Sequence, residues 1–417
     1  MMKKVLIIFL CFIPALSSFS QNISFARDII DTLSSPEFFG RGYVNSGERK
    51  AADFIAEHLQ KSNIQAFKSG YLQFFNIKIN TFPGAVDLKI NNKKMTPGID
   101  FIIYPDAPKT DAGFVARFLN EKTYSKGDSA KALNNLKIKN KAIVIDTGFK
   151  DVKNRKLNEA AVRVNIVDRN VSWHVSGAEA QNKQIRIDVR RTAIPEKIKK
   201  IALKIDARLI DDYQTQNVVG FLPGKACPDT FLVIGAHYDH LGMMGNQAYF
   251  PGANDNASGT AMLLDLANYF SDTTHMGKYS IAFIFFTGEE AGLLGSEYYT
   301  EHPLFPLKNI KFMLNIDMVG TGSDGIKVVN GSVFKNEFET LTSLNQKNNY
   351  LKTVSPRGEA ANSDHYYFFK NGVKSFFIYT LGNEYKEYHT VTDKAAGLPL
   401  TKYNEVFKLV VDFMKSF

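Results

Sequence analysis

Two histidines and several carboxylates recur in one kind of position in the second half of this 417-residue chain. Each follows a short apolar run, or sits in a loop that such a run would deliver. His237, Tyr238 and Asp239 come after FLVIGA, the adjacent Glu289 and Glu290 after IAFIFFTG, and Asp317 after KFMLNI. Asp255 lies in GANDNASGT just ahead of a helical pattern, and His389 lies in KEYHTVTD near the end. Each has an ordinary alternative. A lone Asp before a Gly and a helix is commonly turn chemistry, and a His after a strand is more often structural than metal-bound. His240, His174, His275 and His302 share that ambiguity. Together, however, two histidines and three or more carboxylates converging on one edge of a sheet make the donor set of a metal centre. Four or five uncompensated carboxylates would repel one another, and two divalent cations remove that penalty. Mixed imidazole and carboxylate donors suit Zn²⁺, Co²⁺ or Mn²⁺ better than Ca²⁺ or Mg²⁺. The pattern contains no cysteine donors, which excludes a structural zinc finger.

Such convergence requires elements that bring the donors to one edge. Strands are expected at 231–236, 280–286, 311–316, 325–329 and 375–379, and helices at 259–270, 293–299, 336–348 and 402–417. That alternation predicts an α/β domain with a mostly parallel, doubly covered sheet, whose sites form at the carboxyl ends of its strands. Near the N-terminus a helix capped by Ser46 is expected, with Ala51, Phe54, Ile55, His58 and Leu59 at helical spacing. Residues 76–208 differ in texture: short β-like pieces at 86–90, 101–104, 142–145, 162–167 and 184–189 lie between Asn-, Lys- and Gly-rich turns. They read as a β-rich insertion, so that 21–75 and 209–417 form one domain and 76–208 another.

The formal charge is +9, but Lys and Arg are scattered apart from a denser patch at 186–204, and no nucleic-acid-binding module is recognisable. Nucleic acid is therefore not an expected partner. Residues 1–20 have a basic start, an apolar run from Val5 to Leu16 and small residues Ser17, Ser18 and Ser20. They read as a secretory signal peptide, too short in its apolar run to span a bilayer. The expectation is a secreted or periplasmic protein with no stable membrane anchor once the signal is cleaved. Cys227 would then be the sole remaining cysteine, with no intrachain disulfide.

In this order, HYDHLG, GANDNASG, FTGEEAGLLGS, NIDMVG and EYHTVTD resemble the motif series of the M28 family of co-catalytic zinc aminopeptidases. RGYVNSGERKAADFIAEHL resembles that family's opening segment, and LKIKNKAIVI resembles a strand of the protease-associated (PA) domain inserted in many relatives. The resemblance implies a zinc-exopeptidase-like fold, a peptide substrate and two Zn²⁺ per chain. His237 would bind one ion and His389 the other, with Asp255 bridging and with Glu290 and Asp317 each completing one set. Glu289 would be the general base for a hydroxide shared by the ions. Asp239 would accept the other N–H of His237. A cis peptide would follow Asp255, and Asn256 would cap the helix beginning near Ser258. Asp364 and His365, in SDHYYF, would lie behind the site or against substrate, and Tyr379, Tyr385 or Tyr388 would supply an oxyanion donor or a pocket wall.

Three alternatives fit the same scaffold less well. A glutaminyl-cyclase-like enzyme would use one zinc and a tryptophan-lined pocket, yet Trp173, in the insertion, is the chain's only tryptophan. A carboxypeptidase for acidic peptides would need converging basic residues, and Arg357 is the only obvious arginine near a motif. A non-catalytic receptor would not need every donor and the base intact. The oligomeric state is open.

Overall fold

The computed structural model describes residues 23–119, 136–146 and 155–417; the segment read as a signal peptide lies outside them. The apolar run before the paired glutamates becomes the strand Tyr279–Phe286, buried along all but its first residue. Its side chains alternate between two cores. Ile281, Phe283 and Phe285 join one, packed with Ala26, Ile55, Leu263 and Val410 from four helices. Ala282, Ile284 and Phe286 join the other, with Tyr299 and Phe368. A strand covered on both faces has no solvated side, which is why its sequence is a continuous apolar run. Burial of each such large side chain is worth about 1.5–3 kcal/mol.

This strand pairs in parallel with Cys227–His237, which pairs in parallel with Ile310–Ile316, which in turn pairs in parallel with Ser375–Leu381. Gly325–Val329 runs antiparallel on the far side of Ser375–Leu381, and Arg208–Leu222 runs antiparallel on the other side of Tyr279–Phe286. The registers His237↔Phe286, Gly235↔Asn315 and Ile316↔Ile378 bring the carboxyl ends of the parallel strands level. His237, the Thr287–Glu290 turn and Asp317 are therefore delivered to one edge. The helices Ser258–Ser271, Leu294–Glu301, Lys335–Asn348 and Tyr403–Lys415 fall within a residue or two of their expected ranges.

The helix Gly47–Lys61 also forms where expected, but Ser46 does not cap it through its side chain. Ser46 is left-handed, with φ +56°, and the Glu48 N–H is met instead by the carbonyl of Gly42. The N-terminal helix Ile23–Leu33 packs its apolar face into the same core.

The inserted segment builds its own eight-stranded sheet, from Val86–Ile90 to Lys200–Ile205, with a separate apolar core. The strands flanking it, Leu72–Thr81 and Arg208–Leu222, form an antiparallel ribbon from Val218↔Leu72 to Arg208↔Thr81 that belongs to the large sheet. The change of texture placed at 76 thus falls inside a strand, Leu72–Thr81, whose partner lies far away in sequence.

Candidate active site

His237 ends its strand with an imidazole only 1% exposed. Its Nε2 faces Asp255 Oδ1 at 3.4 Å and Asp317 Oδ1 at 3.3 Å. The Nε2 of His389 faces Asp255 Oδ2 at 3.0 Å and Glu290 Oε2 at 3.2 Å. Asp255 turns one oxygen to each ring. Its loop is braced from beneath: Asp393 accepts the backbone N–H groups of Asn254 (2.9 Å) and Asp255 (3.2 Å). The Asp255–Asn256 peptide is cis. Asn256 Oδ1 accepts the N–H of Gly259 in the first turn of Ser258–Ser271, and also that of Met318. Asn256 Nδ2 donates to the carbonyl of Ile316, so one buried amide locks the Asp255 loop to the Asp317 loop. The second oxygen of Asp317 accepts from Ser363, which is held by Asn315.

The remaining nitrogens are fixed by main-chain carbonyls. His389 Nδ1 lies 2.9 Å from the carbonyl of Trp173, and His237 Nδ1 lies 3.2 Å from that of Asp239. The Asp239 carboxylate, expected to accept from His237, is farther away at 3.6 Å. It is engaged instead by the backbone N–H groups of Glu289 (3.2 Å) and Glu290 (3.4 Å), and so fixes the turn carrying both glutamates.

This arrangement tests whether a cation belongs there. With Nδ1–H given to a carbonyl, each neutral ring presents a lone pair to two carboxylate oxygens. Something positive must lie between. His237 Nε2 and Asp317 Oδ1 are buried and lack hydrogen-bond partners, as a coordinating pair would. Electrostatics agrees in sign. Burial disfavours a charged His389, yet Glu290 and Asp255 outweigh it and push its pKa up to about 11. His237 is likewise raised well above its ordinary value by Asp317 and Glu289, against the effect of burial. A field that binds a proton so firmly at two Nε2 atoms suits a divalent ion. The donor set is imidazole and carboxylate, as zinc accepts.

Glu289 borders a cavity of about 360 Å³, walled by Met318, Phe377, Tyr379, Tyr385 and Tyr388 and floored by Asp255, Glu290, Asp317 and His389. Burial, then Glu290, Asp317 and Asp364, raise its pKa well above normal despite His237. Donor atoms of Glu289, His237 and Asp317 fall within 4.8 Å of one another, as do those of His240, Asp255 and Glu290. Of these additional candidates, His240 is engaged through Nδ1, while its Nε2 is buried without a hydrogen-bond partner. Its Nδ1 lies 2.7 Å from Glu290 Oε1, so it holds that carboxylate from behind while Oε2 faces His389.

Asp364 and His365 do not border the cavity. Asp364 is fully buried, its carboxyl pushed up to about 7 by burial and by Asp239 and Asp317, against His237. Burial pushes His365 down to about 3, and its ring packs on Phe377, whose other side faces the cavity. Tyr385 spends its hydroxyl on Asp393 at 2.9 Å, whereas Tyr388 stacks on His389 and is half exposed. Trp173 is buried and Arg357 exposed, and neither borders the cavity.

Sequence reasoning missed three supporting residues. Asp393 stood inside EYHTVTD, four positions after His389, and His240 stood inside HYDHLG. Arg41 stood in RGYVNSGERK. Its fully buried guanidinium donates to the carbonyls of Leu33, Tyr238, Pro251, Gly252 and Asp255. Burial lowers its pKa to about 10 against the pull of Asp393 and Asp255. The chain on either side of it packs tightly on the loop after His240: a Cβ on Gly42 would come within 2.4 Å of the Gly242 Cα.

Fold and site together define an α/β protein with a buried carboxylate–imidazole cluster, able to hold a cation, at the carboxyl ends of parallel strands. Residues 217–414, a little under half of the chain, match the model of peptidase family M28. A probable leucine aminopeptidase of Arthroderma otae is 31% identical over 211 residues, 48% of this chain and 57% of the relative. Aminopeptidase YwaD of Bacillus subtilis is 36% identical over 125 residues, covering 30% of this chain and 25% of the relative. The chain thus matches at most a little over half the length of these relatives. The solved structure of BSAP, a zinc aminopeptidase from Bacillus subtilis, superposes with a TM-score of 0.72 at 22% identity, covering 95% of each chain. An aminopeptidase from Aneurinibacillus sp. strain AM-1 gives 0.67 at 20% identity, covering 95% of this chain and 93% of the other. At such identities the likeness speaks to fold, and it extends over the insertion as well as the peptidase half.

Proposed function

We propose that the chain is an exported aminopeptidase that holds two zinc ions and removes N-terminal residues from peptides. The carrying observation is that two imidazole Nε2 atoms each face two carboxylate oxygens and share Asp255. His237 and Asp317 would hold one ion, His389 and Glu290 the other, and Asp255 both. Such ions, when bound, acidify a water and polarise the scissile carbonyl.

The chain's own residues do the rest. Glu289, on the cavity wall, takes a proton from the attacking water and returns it to the departing amine. The raised affinity of that carboxyl for a proton suits it to deliver one. The acidic floor attracts the substrate's α-ammonium, while Met318, Phe377 and Tyr379 offer an apolar wall to the first side chain. Tyr385 is held by Asp393, which leaves Tyr379 and Tyr388 on the cavity wall as the tyrosines that would reach the reacting carbonyl. The export reading rests on the basic, apolar and small-residue order of residues 1–20.

A matched panel of free and N-acetylated peptides tests the activity. Unblocked peptides should be cleaved one residue at a time, blocked ones spared, and a chelator should abolish turnover with about two zinc ions released per chain. Cleavage of blocked peptides from the carboxyl end, or cyclisation of N-terminal glutamine by a one-zinc protein, would refute it.

A further inference from the structure

The inserted sheet grips the candidate site from two sides. On one side, Trp173 and His389 are joined by a reciprocal pair of bonds. The Trp173 N–H donates to the His389 carbonyl at 2.9 Å, and His389 Nδ1 donates to the Trp173 carbonyl at 2.9 Å. Trp173 is itself held: its indole N–H donates to the Ile103 carbonyl at 2.7 Å, and its ring packs beside Phe82 and Phe250. His389 takes a left-handed φ of +56°, an uncommon conformation for a non-glycine residue. Two residues later, Val391 packs against the core of the inserted sheet.

On the other side, the hairpin of Gly242–Met244 and Ala248–Phe250 joins His237 to Asp255. It buries Leu241, Met244 and Phe250 in the insertion's core rather than in the peptidase core. The N–H of Ile103 meets the Met244 sulfur at 3.4 Å, and the N–H of Asn246 meets the carbonyl of Gly84 at 2.8 Å.

From these contacts we infer that the insertion, through Trp173, sets the position of His389 and with it the strength of the cation site that His389 serves. Trp173 is a positioning residue; it borders neither the cavity nor the floor of carboxylates. The inference rests on the two-cation reading given above. Coupling of this kind is reciprocal. An ion at His389 should tighten the docking of residues 171–175, and loosening that segment should weaken this one ion and spare the other.

Zinc stoichiometry and affinity, read by competition with a chelator, are compared for the wild type, Trp173→Phe and Trp173→Ala. Hydrogen exchange of the Trp173 amide is followed in the wild type with zinc bound and stripped. Two ions are expected in the wild type and in Trp173→Phe, whose ring still fills the space between Phe82 and Phe250. Trp173→Ala should keep one ion at wild-type affinity and hold the other at least tenfold more weakly. Stripping zinc should speed exchange of the Trp173 amide at least tenfold. Trp173→Ala with two ions at unchanged affinity overturns the inference, and so does zinc-independent exchange in a wild type that binds two. Should Trp173→Ala not fold, the exchange measurement decides alone. A wild type that binds fewer than two ions refutes the two-cation reading, and this inference with it, and is recognisable because no substitution is involved.

Discussion

At Glu289 and Glu290, two adjacent carboxylates are driven in opposite directions. Burial raises both, but His389 and His240 hold Glu290 down to about 2, while for Glu289 burial, with Glu290, Asp317 and Asp364, prevails over His237 and the carboxyl is raised. On the proposed reading, Glu290 is thereby suited to a cation and Glu289 to a proton. Replacing Glu289 with Gln keeps the side chain's shape and removes the proton acceptor. Turnover should fall by about 10²–10⁴ with both zinc ions retained, measured as kcat beside metal content. Retained turnover would show that another group carries the proton. At this scale the donors were legible, because His237, Glu290 and Asp317 each follow an apolar run that ends at the same sheet edge, and Asp255 and His389 stand in loops that lead to it. His240 was not, because only the fold turns its ring towards Glu290 rather than towards solvent.

The elements that deliver the donors are stiff strands, but the loops between them are held by buried polar residues that no periodicity marks. Arg41 reads in sequence as an ordinary arginine between two glycines. Its partners lie up to 214 positions away. It ties the backbone after His237 to the backbone around Asp255 and supplies positive charge beneath the carboxylates. Lysine cannot reproduce five bonds from one planar fork. Arg41→Lys should cost on the order of 3 kcal/mol, seen as a lower midpoint of chemical denaturation, and should weaken both zinc sites together. A variant with wild-type stability and zinc affinity would show that the clamp is dispensable. Most ranges in the parallel part of the sheet were legible to within a residue or two because both of its faces are covered, but Cys227–His237 begins four residues before its expected start and the antiparallel Arg208–Leu222 was not expected. Ser46 misled because a side-chain cap needs extended backbone, and Ser46 is left-handed.

For the molecule as a whole, charge burial is not confined to the site. Glu48 is fully buried in the helix Gly47–Lys61, accepts a hydrogen bond from Tyr213 at 2.8 Å, and is pushed by burial to about 7. A carboxyl whose folded pKa exceeds its unfolded value stabilises the fold fully below the unfolded pKa. That contribution is lost as pH rises through the folded pKa. Between pH 4.5 and 7 the wild type should therefore lose stability relative to Glu48→Gln, whose amide oxygen still accepts from Tyr213. The gap should reach on the order of 3 kcal/mol above pH 7 and close below pH 4.5. Denaturant midpoints of the two proteins across that range give the answer, and a gap independent of pH would mean that Glu48 is charged in the fold.

The ribbon that carries the chain into and out of the insertion also bears on the order of folding. Thr81 and Arg208 are paired although they lie 127 positions apart (208 − 81). A contact of that separation is slow to form from an open chain, because the loop must close first. Once the inserted sheet has formed, its two ends stand side by side, and the ribbon can zip as a local hairpin. Val218 and Leu222, at the end of that hairpin, are the residues that pair with Phe285 and Ile281. The inserted sheet thus shortens the loop that must close before the strand preceding Glu289 and Glu290 meets its antiparallel neighbour.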